Sequence, residues 1–322
     1  MTAYPISPRD AHVNAALSDF ASSYVNSQFI AEDVSPVLLV NKESDSFWKR
    51  SRIDQATIVN DRVGARSSIN EINYEVEEAS YNCIGRGLKH PIPEALKLNA
   101  DPALNVQQIG TATVMQYIKL AREDRVATLV MTSGNWASGN TGAAAAVWTD
   151  DVAGAPIDDM HTALEAIPFN GEDVMVLGVC SDLVWNDLSI HPQVMSLRGG
   201  GNTGGGPVTK DELAAFLGID GFRVSKVHKN TANLGVTASY SRVWGSTTFA
   251  FVVVPRQMSS TEQMAFSVTF RANLPGSSGG MRAREWHEPG QGIGGTDFVA
   301  VELKDDEKIV QNDAGYLLTS VR

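Results

Sequence analysis

The chain has 322 residues, 43% hydrophobic and 20% charged, with 26 Lys plus Arg against 37 Asp plus Glu and a formal charge of −11. That length suits roughly two domains or one elaborated domain. The acidic balance excludes general electrostatic gripping of a nucleic-acid backbone, which needs clustered positive charge. Cys83 and Cys180, far apart, exclude a disulfide framework or a zinc site and point to a reducing compartment.

The opening MTAYPISPRDAHVNAALSDF lacks a basic start followed by an apolar core, so no signal peptide is read, and no run approaches the ~18 apolar residues of a membrane span. A soluble chain kept in cytoplasm is expected. Residues 1–40 read as an extended arm, a short helix with apolar spacing at Val13, Leu17, Phe20 and Tyr24, and an extended VLLV after Pro36. From 41 to 90 the texture changes. NKESDSFWKRSRIDQATIVNDRVGARSS carries both signs of charge with little to bury, and INYEVEEASYNCIGRG alternates Ile72, Tyr74 and Val76 against Asn73, Glu75 and Glu77. That period of two predicts a half-buried or edge strand within a long two-stranded excursion. A hairpin without its own core leans on something else, often another chain.

Further on, Asp101 is the expected N-cap and Pro102 the first residue of a helix over 102–131, about 44 Å long, with Gly110 softening it. A small-residue loop follows, then a helix opened by Pro156, the strand DVMVLG, and the helix SDLVWNDLSI stopped by His191 and Pro192. Thr209 and Glu212 form a capping box, with Gly218 just past the helix end. GFRVSKV, FAFVVVP, MAFSVTFR, GTDFVAVEL and GYLLTSV read as strands. The fold class is α+β, without regular βαβ alternation or an internal repeat.

The apparent motifs fail on context. LRGGGNTGGG, residues 197–206, matches G-x-G-x-x-G at Gly199, Gly201 and Gly204. It has no strand immediately before it and no helix opening within it, and reads as a mobile surface loop. Gly290, Gly292 and Gly295 lead into a strand and fail the same test. GSSGG offers Ser278 as a nucleophile, but the sequence after it is short for the required helix and the usual order of Ser, acid and His is broken. Asp158, Asp159, His161 and Glu165 share a helix that reads as a solvated face rather than a metal site. Glu77 and Glu78 are adjacent on a strand and point to opposite sides, against paired acid–base work. Trp48 and Trp136 read as contact aromatics, and His12, His90 and His228 as surface or capping residues. No catalytic residue, cofactor or metal is expected.

The pieces LSDFASSYVNSQFIAEDVSPVLLV, GLKHPIPEALKLNADPALN, VQQIGTATVMQYIKLAREDRVATLVM, DVMVLGVCSDLVWNDLSIHPQV, TKDELAAFLGIDGFRVSKV and DEKIVQNDAGYLLTSV, in that order, resemble the major capsid proteins of tailed double-stranded-DNA phages, the Hong Kong 97-type fold. The resemblance spans nearly the whole chain. It implies an N-terminal arm over 1–40, an extended loop over 41–90 that reaches over a neighbouring subunit, and a peripheral domain over 91–171 with a spine helix at 102–131. An axial domain follows over 172–260, and 261–322 return to the peripheral domain and the C-terminal strands. It also implies self-assembly into hexamers and pentamers of an icosahedral shell around DNA, in the virion, after assembly in host cytoplasm. A portal, a decoration protein and a separate scaffolding protein are the further partners expected.

The residues support this on their own account. The mixed charges of the excursion suit pairing between subunits, which fixes geometry more than affinity; the contact candidates are Trp48, Lys49, Arg50, Arg52, Arg62, Arg66, Glu75, Glu77 and Glu78. An acidic chain also fits a shell wall that does not bind its DNA tightly. The competing readings are a bacterial encapsulating compartment with a cargo enzyme and a hydrolase using Ser278.

Overall fold

The computed structural model describes residues 12–50, 58–63, 68–72, 76–99, 105–168, 173–198, 206–233 and 235–322. The chain begins with β1 (His12–Val13), α1 (Ala15–Ser23), α2 (Ala31–Val34) and β2 (Val37–Val40). The excursion follows as β3 (Ser44–Arg50) and β4 (Val76–Asn82), then β5 (Ile84–Pro93), α3 (Glu94–Asn99) and the long α4 (Val106–Met131). Next come β6 (Thr141–Ala143), α5 (Pro156–Glu165), β7 (Val174–Ser181), α6 (Asp182–Ile190), α7 (Pro192–Met195), α8 (Lys210–Leu217) and β8 (Gly221–Ser225). The remaining strands are β9 (His228–Asn230), β10 (Tyr240–Arg242), β11 (Phe249–Pro255), β12 (Ser267–Ala272), β13 (Met281–Glu288), β14 (Thr296–Ile309) and β15 (Gly315–Thr319).

Two sheets organise these elements. The six-stranded sheet runs β1–β13–β14–β12–β2, with β5 also on β14. One face is covered by α1 and α4, where Leu17 and Ala21 meet Val114, Met115 and Ile118 over Ile92, Val299, Val301 and Leu303. The five-stranded sheet runs β6–β15–β11–β7–β8. Every residue of β11 is buried, which explains a sequence that reads as an unbroken apolar run rather than an alternation. The second half of α4 sends Val126, Ala127 and Val130 into this larger core. One helix therefore braces both sheets.

The sheets do not follow the linear segmentation. The five-stranded sheet draws β6 from before residue 171 and β15 from the chain end, while β5 leaves the excursion for the six-stranded sheet. The start of α4 also differs: Asp101 and Pro102 lie outside the described residues, and Asn105 is the N-cap, its side chain accepting from Gln108 N. At 26 residues the helix spans about 39 Å. Gly110 serves close approach, since a Cβ there would stand 3.1 Å from the His90 ring. His90 is thus a packing residue under α4; the side chain of His12 lies outside the described set, and His228 is exposed. His191 ends α6 as expected, but its ring accepts from Gln193 N and opens α7 at Pro192. The capping box stands as read, with Thr209 N donating to Glu212 at 2.8 Å, Glu212 N donating back to the Thr209 hydroxyl, and Gly218 at φ 70°.

Candidate functional site

The excursion is a two-stranded ladder in which Phe47 faces Ala79, Trp48 faces Glu78, Lys49 faces Glu77 and Arg50 faces Val76. Alternation gives it two unlike faces. Phe47 and Tyr81 point into the body, with ring centroids 5.0 Å and 4.5 Å from Phe270, and Cys83 is buried beside them. Trp48, on the other face, is 54% exposed. Lys49 and Glu77 pair at 2.6 Å across the strands. Arg62 is exposed on a tip segment where Asn70 Nδ2 donates to Asn60 O at 2.6 Å. Arg52, Arg66 and Glu75 lie outside the described residues, as does the side chain of Arg50. Among the described residues, the hairpin therefore does find a core in its own chain, at its root. Ile58 (98%), Ile69 (80%) and Ile72 (71%) are exposed toward its far end.

Beneath the root lies a cluster that sequence reasoning missed. Asp305, fully buried, accepts from Arg86 Nε at 2.6 Å, and Arg125 pairs with both Glu307 and Asp305. Arg271 approaches Asp305 at 3.9 Å, and Arg122 donates to Glu32, Ser35 O and Thr269. Desolvation by burial raises the Asp305 carboxyl, and neighbouring Glu307 adds to this; desolvation lowers Arg122 and brings Arg271 down to about 10. The only sequence signal was the alternation of Asp305 and Glu307 in ELKDDEKI, which reads as a solvated edge until three elements bring arginines to it. A second node ties the arm and the segment before β11 to α4: the buried Glu123 carboxylate accepts from Ile30 N, Ala31 N and Trp244 Nε1 at 3.0, 2.9 and 2.6 Å.

The catalytic candidates find no machinery. Ser278 opens a tight turn through Gly279 and Gly280, both at positive φ (55° and 75°), that closes on Met281. That geometry leads into β13, not into the helix a nucleophile elbow needs. The Ser278 hydroxyl meets Ser22 at 3.2 Å, while His287 pairs with Asp297. Burial pushes the thiols of Cys83 and Cys180 up to about 11 and about 12, which holds them as inert thiols at neutral pH. Asp159 accepts from Trp148 Nε1 and Asp158 from Gln193, while the His161 ring rests edge-on against Phe216. Among the described residues no group of three or more metal-ligating side chains occurs, and no helix is long and apolar enough to cross a membrane. Gly292 and Gly295 turn β13 into β14; Gly199 to Gly205 lie outside the described residues.

The described residues thus present a two-faced hairpin rooted above an ionic cluster and a helix that braces two sheets. No protein-family model matches the chain. It is 25% identical over 315 residues to the major capsid protein of Pseudomonas phage JBD67, covering 97% of this chain and 96% of that one. A second relative, the major capsid protein of Burkholderia phage BcepMu, is 25% identical over 189 residues, 57% of this chain and 59% of that protein. Among solved structures, a phage-related protein from Bordetella bronchiseptica RB50 matches with a TM-score of 0.74 at 19% identity, covering 97% of this chain and 98% of its own. The capsid of cyanophage P-SCSP1u matches at 0.57 and 13% identity, over 92% of this chain and 89% of that one. The fold is the Hong Kong 97-type fold of phage capsid proteins, and the resemblance read from the sequence holds across the chain.

Proposed function

We propose that the chain is the major capsid protein of a tailed phage, a structural subunit that assembles with copies of itself into the shell of the virion. The observation that carries this is the full-length relation to a phage major capsid protein, on a fold shared with phage capsids. The subunit performs no chemistry; its work is to present surfaces that fix the angles between neighbours. Both curated relatives belong to phages, which favours this reading over the encapsulating compartment, and the turn at Ser278 leaves the hydrolase without support.

In this reading the six-stranded sheet with α1 and α4 is the peripheral domain and α4 its spine. The five-stranded sheet with α5, α6 and α8 is the axial domain at the centre of each hexamer or pentamer, and β15 closes that domain. The hairpin of β3 and β4 reaches over the neighbouring subunit. Trp48, Arg62 and Glu78, together with Arg50, Arg52, Arg66 and Glu75, supply its contacts, and Lys49–Glu77 stiffens it. Double-stranded DNA fills the shell without sequence-specific binding, held off by the acidic charge. A separate scaffolding protein, a portal and a decoration protein complete the set of partners, and assembly takes place in host cytoplasm. Negative-stain electron microscopy of the purified protein, with size-exclusion chromatography, tests the reading. Closed shells or rings of five or six are expected; a monomer that stays monomeric even with its own phage's assembly proteins would overturn it.

A further inference from the structure

The hairpin needs a landing surface, and the free edge of the six-stranded sheet has the right chemistry; this inference rests on the capsid reading above. Glu94 N donates to Gly295 O, in register with the β5–β14 ladder. Even-numbered residues of β5 therefore bond β14, and odd-numbered ones turn their N–H and C=O outward. Of the outward positions, Pro91 and Pro93 have no N–H to give, so that half of the edge is blunted. Gly85, Gly87 and Lys89 keep theirs. In this open half Ile84 is 54% and Leu88 47% exposed.

Beside the open half lies a groove of about 470 Å³, lined by Gly85, Gly87, Leu274, Arg282, Glu302 and Lys304. Lys304 on its lining is matched by Glu43 and Arg86 by Asp305, which leaves the positive charge to the arginines around Glu302 and to neighbouring Lys89. Arg282 and Arg284 share the single carboxylate of Glu302, at 2.8 and 2.5 Å, and Lys89 lies 4.2 Å over the Phe298 ring. Among the described residues, β14 is the strand that pairs with β5, so this edge offers open backbone, an apolar strip and positive charge. It is also continuous with the hairpin, since β5 follows β4 directly.

The segment 68–72 is the complement. It is exposed throughout, with Ile69, Glu71 and Ile72 open to solvent. In an extended chain Asn70 and Ile72 share one face while Ile69 and Glu71 share the other. We propose that residues 68–72 of one copy add as a strand along Gly85–Lys89 of a second copy, with Ile72 covering Ile84 and Leu88 and Glu71 meeting the Lys89–Arg282 rim. Backbone bonds supply attachment, and the apolar and charged sides set register.

The test is a cysteine pair, Ile72→Cys with Leu88→Cys, in assembled particles; the native Cys83 and Cys180 are buried and leave the single variants as controls. Under oxidation the pair is expected to give a ladder of linked chains on a non-reducing gel, and each single variant a monomer band. Particles that form with both cysteines and still run as monomers overturn the proposal. If the pair blocks assembly, a charge exchange decides. Glu71→Arg should lower particle yield at least tenfold and Glu71→Arg/Lys89→Glu should recover it; failure to recover overturns the edge assignment. Absence of particles from the unsubstituted chain, under every assembly condition, overturns the capsid reading itself.

Discussion

Arg125, on the long helix, holds Glu307, on the long strand, through two nitrogens: Nε lies 3.0 Å from each carboxylate oxygen and Nη2 lies 2.7 Å from Oε1. Planar two-point contact of this kind fixes direction as well as distance. It sets helix α4 against β14 beneath the root of the hairpin. Breaking such a pair while leaving one charge behind costs about 3–5 kcal/mol when the site is buried. Glu307 is 6% exposed and Arg125 26%, so Arg125→Met is expected near the lower end of that range. The double variant Arg125→Met/Glu307→Leu should recover part of the loss because no orphaned charge remains. Urea unfolding of Arg125→Met, Glu307→Leu and the double variant checks this; a double variant no more stable than Arg125→Met would contradict it.

The same cluster predicts a pH signature. Burial raises the Asp305 carboxyl in the folded state. The groups facing it are Arg86 from β5, Arg122 and Arg125 from α4, Arg271 from β12, Cys83 before β5 and Glu307 on its own strand. A carboxyl whose folded value exceeds its unfolded value of about 3.9 binds its proton more tightly when folded. Its contribution is present in full below the unfolded value and is lost as pH rises through the folded one. The difference in stability between the wild type and Asp305→Asn should therefore vary with pH from about 4 upward, with the wild type losing ground to the variant as pH rises. Urea midpoints at a series of pH values would show it, and a flat difference would argue that Asp305 stays ionised.

Much of this architecture was legible in the sequence for reasons that are local. The apolar spacing of Val114, Met115 and Ile118 marks α4 and the Thr209–Glu212 box marks α8, while of the alternation read over 72–77 only Val76 and Glu77 fall in β4, Ile72 is exposed and 73–75 lie outside the described residues. What stayed hidden depends on partners distant in sequence. β15 lies between β6 and β11, and Leu317 stands beside Thr141, so no window of sequence shows where the second sheet closes. MRAREWHE gave no strand reading because its buried residues, Met281 and Ala283, are interrupted by arginines that the outer face tolerates through Glu302. Arg86 and Lys89, counted with the excursion, belong to the sheet. The contact residues could be proposed from charge texture, but the ionic cluster needed three elements to converge.

Root and outer face of the hairpin should separate experimentally. Phe270, 1% exposed, carries both Phe47 and Tyr81, and Phe270→Ala is expected to cost about 3–5 kcal/mol. Trp48→Ala, at a 54% exposed position, should change monomer stability by no more than about 0.5 kcal/mol and yet reduce assembly. Thermal unfolding paired with particle yield distinguishes the two. A Trp48 variant that assembles normally would remove this residue from the contact surface.

Removing the hairpin is the broadest of these experiments, and the structure sets where to cut. Deleting residues 45–80 would take away Phe47, which packs with Tyr81 on Phe270, and so would mix a folding defect with an assembly defect. Deleting 51–75 and joining Arg50 to Val76, which already stand opposite each other, through an Asn-Gly turn leaves the root in place. The shortened chain should keep its secondary structure by circular dichroism and unfold within a few degrees of the intact chain, because the described residues it loses, 58–63 and 68–72, are exposed. Its particle yield should fall below detection. Normal shells from this deletion would mean that the hairpin is not the element joining subunits; a collapse in melting temperature would mean that the tip, and not only the root, is part of the monomer's own fold.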